Sequence, residues 1–88
     1  MHFTYINGAF LPENAALIPI QDRGFRFGDG AFETIPLLTG RPYQFGWHMA
    51  RLARGLEALH IPFDTATIQA PAKELVAKNK TQSGFLRI

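Results

Sequence analysis

Apolar and polar positions alternate in short runs over the first half of the chain and recur at helical spacing over the second. Phe3 to Ile6 reads as a short strand. Asn7-Gly8 reads as a hairpin turn, because both residues tolerate positive φ. Ala9 to Leu11 returns as the second strand, and Pro12 ends it. Ala16-Leu17-Ile18-Pro19-Ile20 is an apolar connection expected to cross the surface of the core. Ala31 to Leu38 is a second run with strand character. Within it Pro36, which has no N–H for a ladder, marks an edge or a bulge. Thr39-Gly40 turns the chain, and Arg41 to Phe45 is expected to pair back.

From Trp47 to His60 the period changes. Trp47, Met49, Leu52, Ala53, Leu56 and Leu59 recur at three- and four-residue steps, which predicts an amphipathic helix closed by Ile61-Pro62. Gly55 inside it costs about 1 kcal/mol relative to alanine, a cost that close packing would explain. Thr65 to Asn79 predicts a second helix with Leu75 and Val76 inward, and Pro71 either starts or kinks it. Ser83-Gly84 break the chain. Phe85 to Ile88 opens a strand with no visible return or partner, the expected mark of a chain cut from a longer protein. The order β-β-loop-β-β-α-α-β predicts an α+β fold, an antiparallel sheet with two helices.

Composition narrows this picture. The chain has 88 residues, so 1–88 is expected to be a single small domain. Hydrophobic residues make up 47% and charged residues 18%, which argues against disorder. There is no cysteine, which removes disulfides, thiolate zinc sites and a cysteine nucleophile, and an unstapled chain suits the cytoplasm. The net charge is +2 and the basic residues are scattered, so no nucleic-acid arm is expected. No apolar run approaches the roughly 20 residues of a membrane helix, so no membrane partner is expected. The opening Met1-His2-Phe3-Thr4-Tyr5 lacks the pattern of a signal peptide.

The segment Gln21 to Gly30 carries Gly24, Gly28 and Gly30 among Phe25, Phe27 and four charged residues. It is expected to form a shaped loop that pins its phenylalanines into a core. Arg23-Gly24-Phe25-Arg26-Phe27 resembles the start of an RNA-recognition signature, but Gly28 and Gly30 stand where an apolar residue and an aromatic belong. The same glycines do not lead at once into a helix and no Gly-Lys-Ser/Thr follows, so neither nucleotide fingerprint is met. His48 and His60 do not form a metal set. His60 suits the negative end of a helix, and His48 is expected to be packed or hydrogen-bonded. Arg51, three residues after His48, reads either as a solvated helix residue or as a guanidinium aimed at an anion.

Together these pieces resemble the N-terminal domain of the class IV (fold-type IV) pyridoxal-phosphate enzymes, which include D-amino-acid and branched-chain aminotransferases and aminodeoxychorismate lyases. The resemblance is carried by Ile6-Asn7-Gly8, by the block from Asp22-Arg23-Gly24 through Gly28-Asp29-Gly30 to Phe32-Glu33-Thr34, by Gly40 and Phe45, and by His48-Met49-Ala50-Arg51-Leu52. It runs on to Gly84 and Phe85 to Ile88, covering essentially the whole chain. It implies pyridoxal 5'-phosphate as cofactor and Arg51 as the residue that binds its phosphate. It implies Phe27, Phe32 and Arg26 as substrate-binding residues, with amino acids and 2-oxo acids as substrates. It also implies a homodimer for the full-length protein.

The family's lysine anchor for the cofactor, and the carboxylate for its ring nitrogen, lie past residue 88. Lys73, Lys78 and Lys80 do not match that lysine, and Glu33 does not match that carboxylate. No catalytic residue is therefore expected within this chain, which alone is expected to be inactive and, with its apolar surface uncovered, to self-associate. The implied activity is amino-group transfer. The alternatives are an aminodeoxychorismate-lyase reaction or a non-catalytic dimerisation module of the same fold. Phe32-Glu33-Thr34 favours the lyase and D-amino-acid branch over the Phe-Glu-Gly of branched-chain enzymes.

Overall fold

A computed structural model describes residues 1–88. The opening alternation forms a hairpin, with β1 (Phe3–Ile6) antiparallel to β2 (Ala9–Pro12). Its turn residues Asn7 and Gly8 have φ of 50° and 88°, as the sequence requires. Tyr5 and Phe10 face each other across the ladder, their rings edge-on at 5.0 Å. A single 3-10 turn, Glu13–Ala15, follows.

The connection after it does not cross the core. Leu17, Ile18 and Ile20 are exposed, because no element of this chain packs over them. Gln21 to Gly30 is not an irregular loop that buries its phenylalanines. It contains a short helix, α1 (Arg23–Phe27), with every residue exposed, Phe25 at 73%. Phe32 is exposed as well.

The second sheet joins β3 (Thr34–Leu38), β4 (Arg41–Pro42) and β5 (Ser83–Arg87) in the order β4-β3-β5, all antiparallel. The expected antiparallel pairing holds, but it is divided between two sheets. The expected strand from Arg41 to Phe45 is only two residues long, because the chain enters a helix at Phe45. The last strand does have a partner: β5 runs beside β3 from Leu38↔Ser83 to Thr34↔Arg87. Pro36 lies in the central strand, not at an edge. Its carbonyl accepts from the Tyr43 N–H at 2.8 Å, so its missing donor falls on the side where β4 has ended.

Helices α2 (Phe45–Ala58) and α3 (Ala66–Lys78) cover one face of this sheet. The core is Ile35 and Leu37 from β3, Met49, Leu52 and Leu56 from α2, Ala72 and Val76 from α3, and Leu86 from β5. Trp47 and Leu59, which the helical period placed inward, are exposed, and Leu75 is half-buried. Gly55 meets the Ala31 Cβ no closer than ordinary contact, so close packing does not explain it. Pro71 sits inside α3 and does not start it. The Asp64 side chain and carbonyl serve that helix's first turn instead, accepting from the Ala66 and Thr67 N–H groups at 3.0 Å each.

The hairpin is tied to α3 by one side chain. Asn79 accepts from the Phe3 N–H at 2.7 Å and donates to the Phe3 carbonyl at 2.9 Å, as a neighbouring strand would. Below it lies an apolar cavity of about 320 Å³ lined by residues of β1, α3 and β5, Phe3, Ile68 and Leu86 among them. No helix is long and apolar enough to cross a membrane.

Candidate functional site

Two sequence blocks converge on one buried carboxylate. Glu33 precedes β3 and shares its inward parity with Ile35 and Leu37, so the pleat turns its side chain under α2. Its backbone extends the β3–β5 ladder by one step. The Glu33 N–H donates to the Ile88 carbonyl at 2.7 Å, and the Glu33 carbonyl accepts from the Ile88 N–H at 2.9 Å. The residue is only 4% exposed. A carboxylate so buried needs partners, and α2 supplies them.

His48 and Arg51, three residues apart in the first turns of α2, face the same side of the helix. His48 Nδ1 lies 2.6 Å from Glu33 Oε1. An ionised carboxylate only accepts, so Nδ1 carries the proton. Arg51 donates from Nε to Oε2 at 2.8 Å and from Nη2 to Oε1 at 2.6 Å, a bidentate fork. The Trp47 ring lies under the guanidinium, 4.4 Å from its carbon, and edge-on to the His48 ring at 5.2 Å. The Arg51 hydrogen bonds, more than burial, set the charge state: they hold the Glu33 carboxyl well below the usual range, at about 2. Glu33 in turn raises the Arg51 pKa.

His48 is thus buried and hydrogen-bonded, as expected. Arg51 stands between burial and solvent. It is paired with Glu33, yet its side chain stays 50% exposed. Glu33 was missed as a site residue. Its signal was parity, a lone acid at the inward positions of an apolar strand.

The other candidates lie apart in the bonding pattern. Asp22 caps α1 through Oδ2 to the Phe25 N–H at 3.3 Å, and Gly28 ends it at φ 68°. A Cβ on Gly24 would lie 3.0 Å from the Asp22 carboxylate, the acceptor of that cap. Arg23 pairs with Asp29 at 2.8 Å. Arg26 donates to the Gln21 side-chain Oε1 at 2.8 Å and lies over Phe27 at 4.8 Å. The Asp-Arg-Gly…Gly-Asp-Gly block is therefore a capped helix held by polar side chains. Phe32, next to Glu33, lies under Arg87 at 4.4 Å. No hydrogen bond or ion pair joins Arg26 to Glu33, His48 or Arg51.

The one buried charge cluster of this α+β fold sits where the start of α2 meets the start of β3. A family model described as amino-transferase class IV matches residues 30–88. The chain is 34% identical to the aminodeoxychorismate lyase of Bacillus subtilis over 86 residues, covering 96% of this chain and 29% of the relative. It is 33% identical to the D-alanine aminotransferase of Bacillus licheniformis over 82 residues, covering 91% of this chain and 29% of the relative. The crystal structure of 4-amino-4-deoxychorismate lyase from Pseudomonas aeruginosa superposes with a TM-score of 0.69 at 36% identity, covering 83% of this chain and 26% of that one. The chain belongs to the class IV aminotransferase family. It spans less than a third of the length of the curated relatives it matches.

Proposed function

We propose that this chain forms the phosphate-holding part of a pyridoxal 5'-phosphate site, with Arg51 gripping the phosphate. The observation that carries the reading is the guanidinium itself, clamped on one edge by Glu33 and half exposed on the other. A fixed, planar, exposed donor edge suits a phosphate. When bound, the cofactor would supply an electron sink for bond changes at an amino-acid α-carbon. The residues of this chain do the holding. Arg51 donates to the anion, and Trp47 shields one face of the guanidinium from water.

No catalytic residue is assigned within these 88 residues. All three lysines are exposed, with Lys73 beside Phe45 and Lys78 beside Phe3 and Phe10, and none pairs with Glu33. The reaction we assign to the whole protein is transfer of an amino group between an amino acid and a 2-oxo acid. The lyase reaction is the second reading, favoured by the 34% and 36% identities to aminodeoxychorismate lyases. Phe27, Phe32 and Arg26 are proposed to contact substrate, being exposed and next to or near Glu33 in sequence. A homodimer and a cytoplasmic setting complete the proposal; the exposed apolar side chains support the first, and the lack of cysteine supports the second.

Pyridoxine 5'-phosphate, which has no aldehyde to react with lysines, tests the phosphate site directly. Titration should shift the NMR signal of the Trp47 indole N–H, the single tryptophan, while pyridoxine without phosphate should not. Arg51→Met should abolish the difference. An equal response from Arg51→Met would overturn the reading.

A further inference from the structure

Resting on the reading of Arg51 as a phosphate ligand, we propose that Glu33 is a positioning residue: its buried carboxylate fixes the Arg51 guanidinium so that one edge is occupied and the other faces the phosphate.

Glu33 is itself held from two directions. The Ile88 backbone bonds both its N–H and its carbonyl, and His48 Nδ1 donates to its carboxylate. The carboxylate is therefore placed by the sheet and by α2 together, before Arg51 is considered. Arg51 then meets it through both Nε and Nη2. A guanidinium is rigid and planar, so fixing two of its nitrogens fixes the whole plane. Trp47 lies against one face of that plane. What remains is the Nη1 edge and the outer hydrogen of Nη2, both directed away from the carboxylate. The side chain is half exposed, so that edge is open.

Charge argues against any simpler role. A carboxylate bonded to a phosphate-binding arginine cancels much of the field that attracts the phosphate. If attraction alone mattered, removing Glu33's charge would tighten binding. Two opposite effects therefore compete, and positioning requires geometry to win. An unclamped arginine must lose rotamer freedom on binding, which weakens affinity roughly three- to tenfold.

Two substitutions separate the effects. Glu33→Gln keeps the length and removes the charge. Glu33→Asp keeps the charge and withdraws it by one methylene. Pyridoxine 5'-phosphate is titrated into the full chain and each variant, following the Trp47 indole N–H and the Arg51 Nε–H by NMR, with pyridoxine as the control. We expect both variants to bind roughly three- to tenfold more weakly than the parent chain. We also expect the Arg51 Nε–H to exchange faster with water in both, before any ligand is added. Tighter binding by Glu33→Gln with unchanged binding by Glu33→Asp would show a charge effect and overturn the proposal. So would an Arg51 Nε–H equally protected in the variants and the parent. Should Glu33→Gln fail to fold, Glu33→Asp carries the comparison alone, since weaker binding with the charge retained is a result that charge cannot give. A phosphate response unaffected by Arg51→Met would instead overturn the underlying phosphate reading.

Discussion

Two apolar stretches of this chain meet opposite fates. The residues of β3, α2, α3 and β5 build the whole core, and Ile35 has no exposed surface at all. The stretch from Ala16 to Phe32 is as rich in leucine, isoleucine and phenylalanine, yet none of its residues is buried. The first stretch is shaped by apolar packing between elements distant in sequence. The second is shaped by near-neighbour polar contacts: the Asp22 cap, the Arg23–Asp29 pair and the Arg26–Gln21 bond. Hydrophobic composition says that a segment must be covered. It does not say that the cover lies within the same chain.

The largest effect is expected from an apolar side chain removed from the packed stretch. Ile35→Ala deletes a side chain with no exposed surface and should destabilise by about 2–5 kcal/mol. A chain this small has a thin margin, so the circular-dichroism signal should show little or no folded state in dilute urea. A transition close to that of the parent chain would mean that the β3–α2 contact is not the core.

Acid should act next, through Glu33 in the packed half. Glu33 is lowered from an ordinary 4.5 to about 2 by Arg51. A depressed folded-state pKa gives stability that is fully present above pH 4.5 and lost as pH falls toward 2. Urea midpoints measured across that window should fall in the parent chain and fall less in Glu33→Gln. Parallel curves would remove the Arg51–Glu33 pair from the stability of the fold.

That pair also marks how far the sequence could be read. The hairpin, the β3–β4 turn and both long helices were legible, because each is written in local signals: Asn7-Gly8, Thr39-Gly40, and the Met49, Leu52, Leu56 spacing. The Phe85–Ile88 strand was legible but its partner was not, since pairing with β3 spans about half the chain and leaves no local trace. His-x-x-Arg placed His48 and Arg51 on one helix face, yet nothing local tied them to Glu33. The aromatic residues of Gln21 to Gly30 misled, because periodicity and glycine content report local shape, whereas burial depends on what lies opposite.

A smaller effect should appear within the exposed stretch itself. Asp22→Ala removes the N-cap of α1 and should cost about 0.5–1 kcal/mol in that helix. Since α1 contributes nothing to the core, the cost should stay local. Hydrogen exchange should speed at the Phe25 and Arg26 amides while the Leu52 and Leu56 amides keep their protection. Equal loss at both would mean that α1 is coupled to the packed half.

The smallest effect on stability is expected where the lost apolar surface is greatest to the eye. Phe25 is 73% exposed, and Phe25→Ser removes a ring that lies outside the core. Its unfolding midpoint should match the parent within about 0.5 kcal/mol. Its solution behaviour should differ. An uncovered run of large apolar side chains drives self-association, so sedimentation should show the parent chain associating as concentration rises and Phe25→Ser associating less. If the serine variant were destabilised as much as Ile35→Ala, the ring would be part of the folding core after all, and the division between the two stretches would be wrong.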